Sequence, residues 1–266
     1  MELLGHGRTA EVYRTDDGKA VKLYRVGMSE NIIAYEARIA KAIGSVCSVA
    51  PDFYGITSIE GRKGLLYQLV DGNALTEMTH KEKIDISGLA RRMAEVHRCI
   101  HALSADDLPT MMDTFVPRLK AYNRLSNAGL QNLIAFIKRD ETKRICHGDL
   151  HVENVIEDSS GKLWAIDWTN AYSGNPDSDL ARSLYLFLHG LPPGQDQIEL
   201  AEQLFREQAV ESFIEFYGGD DPRNSEDWDV WQLLILISRC SEGIDPERPK
   251  IDQMISGILD SRPEFA

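Results

Sequence analysis

A chain of 266 residues, 43% hydrophobic and 27% charged, has ordinary globular composition and enough length for a sizeable core, which excludes disorder and fibrous repeats. Its net charge of -13 argues against nucleic acid as a main partner, because phosphate neutralisation needs a basic surface. The longest apolar run, 230–237, is interrupted by Gln232 and is far too short to span a bilayer, so no membrane partner is expected.

Cys47, Cys99, Cys146 and Cys240 are widely spaced, without a C-x-x-C. They fit reduced thiols better than a disulfide framework or a zinc site. The N-terminus carries no basic stretch followed by an apolar one, so a cytoplasmic location is expected. No feature calls for an obligate protein partner.

The first 80 residues read mostly as strands. Residues 12–14 and 20–24 are β-prone runs separated by Asp16-Asp17-Gly18, a hairpin signal. Residues 29–43 carry apolar side chains at helical spacing, with Ser29 placed as a cap and Gly44 as a stop. A second strand pair, 53–59 and 65–70, is joined around Gly61-Arg62-Lys63-Gly64. The pattern predicts a five-stranded antiparallel sheet with one helix.

After Asp71-Gly72-Asn73 the chain turns helical. Residues 83–103 place Ile84, Leu89, Met93, Val96, Ile100 and Leu103 on one face. Residues 112–125 and 130–138 read as two more helices, with Pro117 expected to end or kink the first. Short strands at 144–146, 155–157 and 163–166 flank a loop. From 180 onward about four helices follow, punctuated by Leu191-Pro192-Pro193-Gly194 and residues 218–222. The expected fold class is α+β, with a small sheet lobe at 1–71 and a larger helical lobe at 72–266.

The strongest chemical signal is His147-Gly148-Asp149-Leu150-His151-Val152-Glu153-Asn154, followed by Ala165-Ile166-Asp167-Trp168. Phosphoryl transfer from a nucleotide needs a carboxylate to orient the acceptor hydroxyl and take its proton. It also needs oxygen ligands for Mg²⁺ on the phosphates. Asp149 supplies the first and Asn154 one of the second, and a β-hairpin returns Asp167 beside them as the other ligand. The spacing is that of the kinase H-x-D-x-x-x-x-N loop with its following metal aspartate. His151 either touches substrate or makes a structural hydrogen bond, and Glu153 reads as a solvated charge.

Gly5-His6-Gly7-Arg8-Thr9-Ala10 lies within a predicted hairpin. That context favours a flap over nucleotide phosphates and disfavours a dinucleotide fingerprint. Arg8 or Thr9 at its tip either reaches a phosphate or stays in solvent. Lys22 follows Val12 by ten residues, and a lysine on an apolar strand is costly unless paired. Glu36 in the next helix is its natural counter-charge, and the pair would aim Lys22 at the α- and β-phosphates.

These motifs resemble those of the aminoglycoside phosphotransferase and choline kinase-like family, the small-molecule branch of the protein-kinase-like fold. Gly174-Asn175-Pro176-Asp177-Ser178-Asp179-Leu180-Ala181 extends the likeness, which covers essentially the whole chain. The resemblance implies a bilobal kinase-like fold and transfer of the γ-phosphate of ATP, with GTP left open as donor. It implies that Asp179 braces the catalytic loop. It also implies that backbone groups of Gln68 and Val70 bind the adenine, with Val12, Ala20 and Ile166 packed near the base.

Trp168-Thr169 stands where protein kinases have Phe-Gly, no A-P-E segment follows, and about forty residues, 104–143, are inserted before the catalytic loop. These departures favour a small-molecule hydroxyl acceptor over a peptide. A metabolic kinase for choline, a sugar or an amino alcohol is the alternative to an aminoglycoside-type enzyme. A nucleotide-binding pseudokinase is disfavoured by the intact set of Asp149, Asn154, Asp167 and Lys22.

For the acceptor, Asp227-Trp228-Asp229 with Trp231 suggests an acidic, aromatic-sided pocket for an amine, Glu242, Asp245 and Glu247 being further candidates. Trp228 and Trp231 lie three apart on a helix, where Trp231 reads as a core residue and Trp228 equally as core or pocket wall. Residues 190–266 hold six basic and seventeen acidic residues, which is -11 of the total charge. That excess reads either as solvated helix faces or as a field favouring a cationic acceptor.

Overall fold

Five antiparallel strands and one helix open the chain. The computed structural model describes residues 1–7, 9–81, 83–191 and 195–266. Strands β1 (Glu2–His6), β2 (Ala10–Arg14) and β3 (Lys19–Tyr24) precede helix α1 (Glu30–Gly44), and β4 (Phe53–Ile59) and β5 (Arg62–Gln68) follow it. The sheet order is β1-β2-β3-β5-β4. Period-two alternation buries Val21 and Leu23 and turns Lys22 to the opposite face. Gly64 sits where a Cβ would crowd the Val21 and Leu23 side chains, which explains a glycine within a strand.

Two local readings are corrected here. Glu60 and Gly61 both take positive φ, 51° and 79°, so the hairpin turns on these two residues and β5 begins at Arg62 rather than 65. Ser29 occupies the N-cap position of α1 without a side-chain cap bond. Gly44 is the last helical residue and not a left-handed stop, the helix ending at Ser45 in right-handed geometry.

The rest of the chain runs β6 (Gly72–Ala74), α2 (Leu75–His80), α3 (Ile86–His101), α4 (Met111–Ala121), α5 (Asn127–Arg139), β7 (Arg144–Cys146), β8 (Val155–Asp158), β9 (Leu163–Ala165) and β10 (Tyr172–Gly174). Four helices close it: α6 (Pro176–His189), α7 (Leu200–Tyr217), α8 (Trp228–Cys240) and α9 (Arg248–Ser261). The punctuation expected at Pro192-Pro193-Gly194 falls outside the described residues. Strands β6, β8 and β9 form one small antiparallel sheet, and β7 pairs with β10.

Helix α3 starts later than its periodicity suggested, because the Asp85 carboxylate accepts from Gly88 N at 2.7 Å and caps it there. Pro117 lies inside α4 without ending it, and a Thr110–Asp113 capping box holds that helix's first turn.

Helix α1 joins two cores. Its Ile33 and Ala37 pack with Ala10, Tyr24 and Leu65 under the sheet, while Ile39 and Ile43 enter the large helical core. Trp231 is among the largest side chains of that core and meets Phe136 edge-on with ring centres 4.6 Å apart. Truncating it to alanine would cost about 3–5 kcal/mol. No described helix is long and apolar enough to cross a membrane. All four cysteines are free thiols.

Candidate active site

Lys22 reaches from β3 into the cleft between the sheet and the helical region. Its Nζ lies 2.7 Å from Glu36 Oε1 and 3.0 Å from Asp167 Oδ1, with Thr169 Oγ1 at 3.4 Å. Tyr24 donates its hydroxyl to the other Glu36 oxygen at 2.5 Å. Burial works against the charge on Lys22, but Asp167 and Glu36 outweigh it and raise its pKa. The spacing argument anticipated the Lys22–Glu36 pair. It missed the supports from Tyr24 and Thr169, two residues beyond Lys22 and Asp167, because neither residue type at that spacing marks a phosphate site.

The loop after β7 is fastened from below by one carboxylate. Asp179 is fully buried and accepts from His147 N at 2.8 Å, Gly148 N at 2.7 Å and His101 Nε2 at 3.0 Å. Burial would raise its pKa, yet the His101 hydrogen bond and charge hold it well below the usual carboxylate range. Tyr217 Oη stands 2.9 Å from the other ring nitrogen of His101. Gly148 has φ of 76°, and a Cβ there would run into the Asn170 carbonyl.

A 3₁₀ turn at Val152–Asn154 folds Asn154 back under the loop. Its Nδ2 donates to the Asp149 carbonyl at 2.9 Å and to His151 Nε2 at 3.1 Å. His151 therefore makes a structural hydrogen bond, and Glu153 is exposed. Ile166 N donates to the Asn154 carbonyl at 2.9 Å, which brings the end of β9 alongside. The next residue, Asp167, takes φ 60° and ψ 61°, a left-handed conformation that costs a non-glycine residue about 1–3 kcal/mol. That strain turns its carboxylate toward Lys22. Burial pushes the Asp167 pKa up, and Lys22 more than reverses it, leaving it lowered.

Asp149 Oδ1 receives Arg182 Nη2 at 2.8 Å. Burial would raise the Asp149 pKa, but Arg182 and then His151 pull it below the usual value. Arg182 is 5% exposed and also holds Glu242 at 2.7 Å, which Arg239 shares at 2.5 Å. Arg239 in turn pairs with the buried Glu247 at 2.7 Å. Arg182 went unread in the sequence, although it stands on α6 one turn beyond Asp179, on a neighbouring face.

The cleft encloses about 510 Å³. Gly5, Val12, Ala20, Lys22, Glu36, Gln68, Val70, Asn154, Ile166 and Asp167 all line it. Gly7 instead closes the flap turn, its N–H donating to Ala10 O at 2.8 Å. Thr9 is exposed, and Arg8 lies outside the described residues. Gln68 N is spent on Asp52 O at 2.8 Å, whereas neither backbone group of Val70 bonds to a described residue. The donor set suits a hard divalent cation bound together with phosphates: Asn154 uses its amide nitrogen internally, which leaves Oδ1, and Asp167 adds a carboxylate.

The acceptor candidates from α8 do not reach this cleft. Trp228 and Trp231 are buried in the helical core, at 7% and 2% exposure. Asp227 is ion-paired with Arg139 at 2.8 Å, and Asp229 is half-buried on the first turn of α8. Beside the catalytic loop lies a second, narrow crevice, and among the acidic residues of 190–266 Glu242 alone lines it.

A model of the "Phosphotransferase enzyme family" matches residues 1–217. No curated protein matches the chain. Among solved structures, a thermostable mutant of an aminoglycoside phosphotransferase superposes with a TM-score of 0.63 at 15% identity, covering 97% of this chain and 93% of that one. A choline kinase from Streptococcus pneumoniae gives 0.58 at 19%, covering 98% and 95%. A second aminoglycoside phosphotransferase, solved with ADP bound, gives 0.54 at 15%, covering 99% and 93%. At these identities the likeness shows the fold.

Proposed function

The chain belongs to the phosphotransferase enzyme family, and from that premise we propose that it moves the γ-phosphoryl group of ATP to a hydroxyl of a small molecule. The observation that carries this reading is the cluster of Lys22, Glu36 and Asp167 beside the free oxygen of Asn154, one loop away from Asp149. Residues 1–71 serve as the nucleotide lobe and 72–266 as the catalytic and acceptor lobe. Relatives solved with AMP and with ADP support an adenine nucleotide as donor.

Asp149 orients the acceptor hydroxyl and receives its proton as the oxygen bonds to the γ-phosphorus. The bond from that phosphorus to the bridging oxygen of ADP breaks, which yields ADP and a phosphomonoester. Lys22, held by Glu36, fixes the non-transferred phosphates. Asn154 and Asp167 would hold Mg²⁺, which would offset charge on the phosphates. Gly5 and the flap cover them, and the backbone of Val70 offers a donor and an acceptor to the base.

The test is transfer of label from γ-labelled ATP into a cell extract separated into protein and small-molecule fractions. Label in the small-molecule fraction is expected. Label in protein would replace the reading with a protein kinase, and nucleotide binding without transfer would replace it with a binding module. The negative charge of 190–266 carries a cationic acceptor no further, because Glu242 alone among those carboxylates reaches the crevice and two arginines hold it.

A further inference from the structure

Arg118 is a charged side chain lining the crevice beside the catalytic loop without a partner among the described residues. The crevice runs from Gly148, next to Asp149, past Asn170 to Arg182 and Glu242, and α4 supplies Thr114 and Arg118 one turn apart. Consecutive residues separate it from the nucleotide cleft, Thr169 lining the cleft and Asn170 the crevice. Any acceptor whose hydroxyl rests on Asp149 has this surface beside it.

The charges here are unequally satisfied. Glu242 is clasped by both Arg182 and Arg239, and Asp149 by Arg182. Arg118 makes no ion pair and no side-chain hydrogen bond with a described residue, although it is partly withdrawn from water. Burial lowers its pKa, and the neighbouring Arg182 lowers it further against the pull of Glu242. A guanidinium cannot shed its proton at physiological pH, so a half-buried one without a partner is costly. Nearby on α1, Arg38 lies over the Tyr35 ring at 5.6 Å, and Arg38, Arg118 and the carboxylate of Asp113 all act on that tyrosine. Two guanidinium groups, those of Arg118 and Arg182, line the crevice. Their planar forks match carboxylate or phosphate oxygens two at a time.

We propose that the acceptor carries an anionic group, a carboxylate or a phosphate ester, which Arg118 binds at the mouth of the crevice while Asp149 takes the hydroxyl. This rests on the phosphotransferase reading and names its acceptor class. The crevice holds only about 10 Å³, less than a carboxylate needs, so the anion meets Arg118 at the partly exposed edge and not in the interior. A cationic acceptor would face the same guanidinium groups, and Glu242, the one carboxylate among the described residues lining the crevice, is already held by two arginines.

The experiment uses four small hydroxyl probes of similar size: glycerate, glycerol 3-phosphate, glycerol and choline. Binding is measured by calorimetry and thermal shift without nucleotide, so that it does not depend on phosphoryl transfer. A non-hydrolysable ATP analogue is titrated separately. The two anions should bind wild-type protein, and Arg118→Gln should weaken them about tenfold or more while Arg118→Lys keeps part of the affinity. The analogue should bind all three proteins alike, and the tighter of the two anions identifies the headgroup. Glycerol or choline binding as tightly as the anions, or Arg118→Gln leaving the anions unchanged, overturns the proposal. So does the failure of both anions to bind below ~10 mM. Loss of analogue binding with anion binding intact overturns the phosphotransferase reading instead.

Discussion

Arg182 and Asp149 form an ion pair of 2.8 Å between the first half of α6 and the catalytic loop, and the guanidinium is the more deeply buried partner. The candidate base is therefore clamped by a charge whose own position is fixed at Glu242. The clamp favours the ionised form of Asp149 and leaves its Oδ2 without a partner among the described residues.

Replacing that clamp should be visible in pH dependence. Arg182 holds the Asp149 pKa down, so Arg182→Lys, whose single ammonium cannot span both carboxylates, should let it rise. Because the base must be unprotonated, the acid limb of kcat should move to higher pH. An acid limb that stays in place would show that Arg182 does not tune the base.

Asp149→Asn should lower turnover by about 10²–10⁴ while MgATP affinity stays near wild type, the usual range for removing a positioned base. Steady-state kinetics with calorimetry on the same preparations decides it. Turnover within about threefold of wild type would dismiss Asp149 as the base.

Lys22→Ala and Asp167→Ala act on the opposite end of the cleft. Asp167→Ala should abolish Mg²⁺-dependent nucleotide binding, and Lys22→Ala should weaken it by about 10–100-fold, the worth of 1.4–3 kcal/mol. Unchanged calorimetric binding in both variants would remove the phosphate site from this cleft.

Gly148→Ala tests the backbone of the loop. It forces a residue with a Cβ into φ of 76° and against the Asn170 carbonyl, for a cost of at least about 1–3 kcal/mol. Melting temperature and turnover should both fall. A fully active, equally stable alanine variant would show that the loop relaxes freely.

Stability should also fall in mild acid. His97 is fully buried between the Met93 carbonyl at 2.8 Å and Ser183 Oγ at 2.9 Å. Burial first, and then the charge of His101, depress its pKa from 6.5 to about 4. Below about 6.5 the unfolded chain takes up a proton that the folded protein refuses. Stability is therefore lost as pH drops from about 6.5 towards 4, by about 3 kcal/mol at most. His97→Gln should be less stable at neutral pH but show a flatter melting profile across that window. Parallel profiles would refute the assignment.

What the sequence made legible follows contact range. The hairpin at 16–18, the loop of 147–154 and the return of Asp167 are short-range patterns, and periodicity or spacing exposes them. Arg182 and Tyr24 act through partners that tertiary packing brings close, and no local signal marks them, while Glu242 reads as an acceptor-pocket candidate and not as the anchor of Arg182. Helix α2, six residues long, is too short to show a period. Trp228 illustrates the converse: an acidic, aromatic stretch looks like a pocket wall until the register of α8 turns its ring into the core.

Strands β6, β8 and β9 have a consequence for measurement of length. The cleft-lining segment proposed to meet the base, ending at Asp71, runs straight into β6, while Asn154 precedes β8 and Asp167 follows β9. Both ends of the cleft are thus mounted on one three-stranded gauge, fixed on the helical side of the molecule. Rocking of the five-stranded sheet would carry the flap and Lys22 along but leave this gauge at its set span. In the proposed reaction that span would size the donor from base to terminal phosphate: a triphosphate would bring its last phosphorus towards Asp149, and a diphosphate, one unit short, would end before reaching it.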